Sequence, residues 1–195
     1  MIVDIGTGDG AAVIRGARRS PTTLHIGVDS DASSMREASR RAARPVAKRG
    51  LPNALFVVAA AEALPEELRG RADRVAVTLP WGSLLRAVLR PSPPVVAALG
   101  GLLRAGGRLD LLVSTSDRDR GLPTLDDAAW RRLVEHYLAL GFVPCEVRPA
   151  TVADVAASGS SWAKRLGIPA RRAAWWASFE RAAGVGGTEA PPPRV

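Results

Sequence analysis

Three aspartates spaced around three glycines could hold a small charged ligand. Asp4 closes a short apolar run, and Gly6-Thr-Gly-Asp-Gly10 follows it. A buried strand that turns sharply into a helix leaves such a turn open to a ligand. Gly6, Gly8 and Ala11 satisfy a loose dinucleotide pattern, and Asp29 stands 21 residues after Gly8, where a ribose-binding acid belongs. That pattern admits a nicotinamide dinucleotide. The acids favour a different ligand. Asp4 precedes the turn and Asp9 lies within it, so a pyrophosphate there would face carboxylates in a poorly screened cleft. S-adenosylmethionine presents an ammonium and a sulfonium at that place, and both favour nearby carboxylates. A glycine turn without a ligand leaves unexplained why Asp4, Asp9 and Asp29 all fall at carboxyl ends of strands, where open α/β sheets bind ligands.

Two further strand ends carry candidate chemistry. At Ala60-Ala61-Glu62 the backbone and a carboxylate can reach a cofactor adenine. An acid favoured by a helix N-terminus explains Glu62 equally well. Leu79-Pro80-Trp81-Gly82 stands where amino-directed adenine methyltransferases place an Asp or Asn before Pro-Pro and an aromatic. The polar side chain accepts from the amino group in those enzymes, and here the position is Leu79. A ring nitrogen carries its own in-plane lone pair and needs no such acceptor, so the motif leans towards a ring position. Trp81 offers a stacking face for a base, and the flanking Pro and Gly place it at a rim rather than in a core.

The chain has 195 residues and a net charge of +8, with Lys48 and Lys164 its only lysines. Guanidinium pairs bidentately with phosphate, so the excess suits a polyanion; base-composition bias would explain the Arg:Lys ratio but not the net charge. Arg36, Arg40, Arg41 and Arg44 lie along one helix, with Lys48 and Arg49 beyond it. For this group alone a solvated charged face is the commoner explanation. Lys164, Arg165, Arg171 and Arg172 surround Trp162, and there RNA contact is the better reading. Arg118 and Arg120 are weaker candidates. One cysteine, Cys145, excludes an internal disulfide, and two histidines, His25 and His136, read as surface or helix positions rather than metal ligands. No apolar stretch approaches the ~20 residues that span a bilayer. With the glycine loop starting at Gly6 no secretory leader is expected, which predicts a soluble cytoplasmic protein; a monomer is expected.

The elements that must position these residues alternate. Strands are expected at Ile2–Ile5, Leu24–Val28, Ala54–Ala59, Arg74–Leu79, Arg108–Ser114, Phe142–Arg148 and Ala173–Phe179. Helices are expected at 11–19, from a Ser33 or Ser34 cap to Arg44, near Pro65–Leu68, at 83–89 and 94–104, and from Asp126 or Asp127 to Leu140. This alternation gives an α/β fold with a parallel sheet of seven strands. Residues 1–183 form one domain, with insertions at about 115–125 and 151–168, and the Gly- and Pro-rich tail 184–195 is expected to be disordered.

Asp4-Ile-Gly-Thr-Gly-Asp-Gly10, Val28-Asp-Ser-Asp31, Ala61-Glu-Ala-Leu-Pro65, Leu79-Pro-Trp-Gly-Ser-Leu-Leu85 and Ser161-Trp-Ala-Lys-Arg-Leu166 follow one another in order. In this the chain resembles the Kam-type aminoglycoside-resistance 16S rRNA methyltransferases, class I (Rossmann-like) enzymes that methylate N1 of a decoding-site adenine. The resemblance runs from residue 1 to about 180; its Pro-Trp-Gly-Ser-Leu-Leu and Ser-Trp-x-x-Arg-Leu elements are the specific ones. It implies a mostly parallel seven-stranded sheet with an antiparallel last strand, S-adenosylmethionine as cofactor and 16S rRNA within the 30S subunit as partner. Asp4 would bind the methionine ammonium and Asp29 the ribose, on a loop formed by Gly6 and Gly8. Ala61 and Glu62 would bracket the cofactor adenine. Ser83, with Ser160 or Ser161, would lie near the methionine carboxylate. Trp81 and Trp162 would sandwich the target base, and the Pro80 carbonyl would accept from its amino group. Both basic groups would face rRNA. The family carries a hairpin-bearing segment before its first strand, whereas here Met1 abuts that strand, and the loop at 115–125 is not readily matched.

Three rival readings stand beside this one. A class I methyltransferase of a small molecule or another RNA site sits poorly with the charge and the two tryptophans. A non-catalytic RNA-binding protein would not need Asp4, Asp29 and Glu62 together. A nicotinamide-dependent reductase would need a catalytic group such as a Tyr-Lys pair, and the one tyrosine, Tyr137, lies in a helix far from the glycine loop.

Overall fold

The computed structural model describes residues 1–116, 119–168 and 172–182, the side chain of Lys164 excepted. Among these residues seven strands form one sheet in the order β3-β2-β1-β4-β5-β7-β6. Strands β1 (Ile2–Ile5), β2 (His25–Asp29), β3 (Ala54–Val58), β4 (Ala72–Thr78) and β5 (Leu103–Val113) run parallel. Strand β7 (Trp175–Arg181) enters between β5 and β6 (Phe142–Pro149), antiparallel to both. The chain direction therefore reverses once, as expected. The strand order changes direction between β1 and β4, the place where parallel α/β sheets open a crevice for a ligand.

The sheet is covered on both faces, as parallel sheets require. Val3 and Ile5 of β1 join a core with helices α3 (Gly82–Leu89), α4 (Pro93–Leu102) and α5 (Asp127–Ala139). Two groups of aromatic rings fill part of this core. Tyr137 stacks on Phe179 at 4.5 Å, Trp130 meets Trp175 at 5.9 Å, and the Tyr137 hydroxyl donates to the Val88 carbonyl. A second core joins α1 (Ala11–Arg19), α2 (Ala32–Ala42) and β3 through Val13, Ile14, Ala38 and Ala54. A third joins Leu79 and Leu112 to α6 (Val152–Ser158) and α7 (Ser161–Leu166).

Several boundaries differ from expectation for local reasons. Asp31, not a serine, caps α2, its side chain accepting from Ser33 N–H at 2.9 Å. Strand β5 runs through Gly106-Gly107 because a register irregularity opposite β4, between Ala72 and Arg74, absorbs the extra residues. His25 is no surface residue: it is buried in β2 against Gly16, where a Cβ would stand 2.6 Å from the imidazole. Burial accordingly lowers its pKa. His136 is exposed on α5. The expected tail at 184–195 lies outside the described residues. Among the described residues no helix is long and apolar enough to cross a membrane.

Candidate active site

The glycine loop is held by both its conformation and its neighbours. Gly6, Gly8 and Gly10 have φ of 72°, 57° and 70°, the left-handed region that side chains avoid. A Cβ on Gly10 would lie 2.5 Å from the Phe56 ring, and one on Gly6 2.7 Å from Leu84. Gly8 is pinned at both ends of its peptide: its N–H donates to Asp29 Oδ2 at 2.8 Å, and its carbonyl accepts from Ser34 Oγ at 2.9 Å. Asp29 also accepts from Asp31 N–H at 2.9 Å. Part of what reads in sequence as a ligand-binding acid is therefore a brace for the loop.

Beside this loop lies a cavity of about 380 Å³. Gly6, Asp29, Ala61, Glu62, Pro80, Trp81 and Ser83 are all on its wall. Glu62 stands in a turn rather than at a helix start, so the helix-dipole explanation for it falls away. Asp4 sits elsewhere. It lines a neighbouring cavity with Arg74 and Asp110, and Thr7 Oγ1 donates to its Oδ2 at 2.7 Å. Burial pushes its pKa up to about 6, against the opposing pull of the Thr7 hydrogen bond and the Arg74 charge. Asp9 is exposed and accepts from Ala11 N–H at 3.0 Å, a local turn at the head of α1. Neither Ser160 nor Ser161 lines the cavity; Ser160 Oγ accepts from Trp162 N–H at 3.2 Å at the start of α7.

A second, smaller pocket of about 170 Å³ shares Pro80 and Trp81 with the first. Trp162 forms another of its walls, and a Cβ on Gly8 would stand 3.9 Å from the Trp162 indole nitrogen. Both rings are accessible, Trp81 at 76% and Trp162 at 39%, where the core rings Trp130 and Trp175 are at 2% and 7%. The turn that presents Trp81 depends on Leu79. Leu79 adopts φ 48°, an unusual conformation for a side-chain-bearing residue, and is 4% exposed. Its side chain is drawn into the third core with Ala163 and Ile168, and its N–H donates to Leu112 O at 2.7 Å. The residue that removes a polar acceptor from the pocket thus also ties the Trp81 turn to the helix that carries Trp162.

Comparison with known proteins identifies the family. Residues 1–180 match the NpmA family, 16S rRNA (adenine(1408)-N(1))-methyltransferase. The chain belongs to that family. An Escherichia coli relative of this description is 33% identical, covering 93% of this chain and 85% of its own length. Another, from Streptoalloteichus tenebrarius, is 34% identical over 85% of this chain and 80% of its own length. A crystal structure of a variant of the Catenulisporales acidiphilia enzyme with its cosubstrate SAM superposes with TM-score 0.84 at 32% identity, covering all of this chain and 88% of that one. The antibiotic-resistance methyltransferase Kmr superposes with TM-score 0.79 at 39% identity, over 94% of this chain and 87% of that one.

Within this NpmA-family fold the basic residues divide by role. Arg36, Arg40, Arg41, Arg44 and Lys48 are exposed along and just beyond α2, with Arg40 also paired to Glu37 at 2.6 Å. Arg165 is exposed and lies over the Trp162 ring at 5.5 Å, a cation–π contact. Arg172 turns inward instead: its Nε donates to Ser114 Oγ at 2.7 Å and its Nη2 to Ser114 O at 3.0 Å and Asp119 at 3.2 Å. It lines the tryptophan pocket. Arg118, Arg171 and the Lys164 side chain lie outside the described residues. Sequence reasoning missed Asp119 altogether, and only its place in a polar loop hinted at it.

Proposed function

We propose that this chain transfers a methyl group from S-adenosylmethionine to N1 of adenine 1408 in 16S rRNA of the 30S subunit, and that the product confers aminoglycoside resistance. The observation that carries the reading is the pair of accessible tryptophans, Trp81 and Trp162, around a pocket that shares a wall with the glycine-loop cavity. N1 lies on the pairing edge of adenine, so the base must leave the helix before it reacts. Two indole faces can hold it there.

The residues of the first cavity fit the cofactor. Asp29, Ala61, Glu62 and Ser83 line that cavity, Ser83 at the head of α3; Asp29 binds the ribose hydroxyls, Ala61 and Glu62 edge the adenine, and Ser83 lies by the methionine carboxylate. Asp4 acts from behind the loop, its carboxylate reaching Thr7 rather than the cavity wall. When bound, S-adenosylmethionine supplies an electrophilic methyl on a cationic sulfur. The protein's own part is placement. Trp81 and Trp162 orient the base, and the Pro80 carbonyl accepts from its amino group. The N1 lone pair needs no general base, so positioning carries the rate. The exposed arginines of α2 and Arg165 steer and hold the rRNA backbone. The enzyme acts as a monomer in the cytoplasm.

The test is a methyl-transfer assay with purified 30S subunits and labelled S-adenosylmethionine. One new primer-extension stop at adenine 1408, with N1-methyladenosine in the digest, is expected. Label on another atom or another nucleotide would replace this reading with a different RNA methyltransferase.

A further inference from the structure

The tryptophan pocket is lined by two charged side chains, Asp119 and Arg172. Asp119 Oδ2 accepts from Ser116 N–H at 2.8 Å, from Ser116 Oγ at 2.9 Å and from Arg172 Nη2 at 3.2 Å. Among the described residues no donor is placed on Oδ1. The carboxylate is thus fixed by one oxygen, in a wall where a base would stack.

The chemistry of the pocket explains why a carboxylate belongs there. N1 of adenine forms a bond to the methyl carbon as the carbon–sulfur bond breaks and its electron pair stays on sulfur. No proton moves in the step. The positive charge leaves the first cavity and appears on the adenine ring, spread over N1, C6 and the exocyclic nitrogen. A lone guanidinium in the pocket wall would oppose that charge at short range. A carboxylate offsets the guanidinium and attracts the ring as it becomes cationic. The exocyclic N–H becomes a stronger donor along the same path, so a hydrogen bond to it strengthens from ground state to transition state.

We propose that Asp119 is a catalytic and specificity-determining residue of this pocket, its Oδ1 accepting from the exocyclic amino group of the target adenine. The inference rests on the N1-methylation reading. It also gives the pocket a reason to reject guanine, which presents a carbonyl oxygen to the carboxylate where adenine presents a donor.

The experiment compares the full chain with Asp119→Asn and Ser116→Ala, using 30S subunits and S-adenosylmethionine at saturation. Asp119→Asn keeps the shape and removes the charge. Its kcat is expected to fall on the order of 10- to 100-fold, the range of a hydrogen bond to a charged group, while cofactor and 30S affinities stay within about twofold. Ser116→Ala removes a support of Oδ2 but leaves the charge, and keeps its rate within a few-fold. An unchanged rate in Asp119→Asn overturns the proposal. So does a Ser116→Ala loss as large as that of Asp119→Asn, or an Asp119→Asn loss that follows cofactor affinity, either of which makes Asp119 a brace for its loop. A wild-type chain that leaves adenine 1408 unmodified sinks the underlying reading instead, so the two failures are told apart.

Discussion

Two pairs of tryptophans divide the labour of this molecule. Trp130 and Trp175 lie in the main core, nearly sealed from solvent and 5.9 Å apart. Trp81 and Trp162 line a pocket at the carboxyl ends of the strands, with large parts of their rings accessible. The core pair sits where packing stabilises the fold. The pocket pair leaves apolar area in water, a cost that only a stacking partner recovers. Residue type is identical in the two pairs, and Trp175 too lies at the carboxyl end of the parallel strands, opposite Val113; burial is what separates them.

Substitutions should separate the pairs. Trp130→Ala should cost about 3–5 kcal/mol of stability in chemical denaturation, because it empties a packed site. Trp81→Ala and Trp162→Ala should each lower methyl transfer on the order of 100-fold or more, with the melting temperature and cofactor affinity near wild type. A large fall in melting temperature for either would place that ring with the core pair. Asp4→Asn sharpens the contrast by reversing the sign. The native protein keeps a proton on Asp4 up to about pH 6, while the unfolded chain releases it near the ordinary 3.8. Stability therefore falls as pH rises between those values and stays lowered above them. Without cofactor, Asp4→Asn should be more stable than wild type at pH 7.5, by roughly 2–3 kcal/mol, and the two should converge below pH 4. Arg36→Gln or Arg41→Gln should move least. Stability stays unchanged, and the logarithmic salt slope of 30S binding shrinks by about 1 for each phosphate that is no longer neutralised.

What the sequence makes legible is local. The turn from β1 through Gly6, Gly8 and Gly10 into α1 follows from residues adjacent in the chain, as does the Pro-Trp-Gly turn after Leu79. The parallel part of the sheet follows from the alternation of short apolar runs with helices; the reversal of β7, which pairs with strands on both sides, does not. What escapes is set by contacts across long separations. Arg172 reads as one of a surface cluster because Ser114 and Asp119, which draw it inward, are 58 and 53 residues away. His25 reads as exposed because the space for its ring is supplied by Gly16 on the preceding helix. Asp9 reads as a partner of the ligand-binding acids, yet its nearest donor is Ala11 N–H, two residues on. Leu79 reads as a lost acceptor, while its left-handed backbone and its place beside Ala163 appear only when α7 is folded.

The insertion of β7 between β5 and β6 sets an order on biosynthesis. Among the described residues β6 pairs with β7 alone, so a nascent chain that stops short of Trp175 carries β6 without a neighbour. Trp162 is translated in the interval between these two strands, and the hydrophobic cluster that seats α7 includes Ala174, immediately before β7. The cluster beneath the Trp162 wall of the pocket is therefore complete only with a residue translated just before β7. A chain released before Trp175 keeps the glycine loop and both pocket tryptophans but lacks the strand beside which the cluster seating Trp162 is completed.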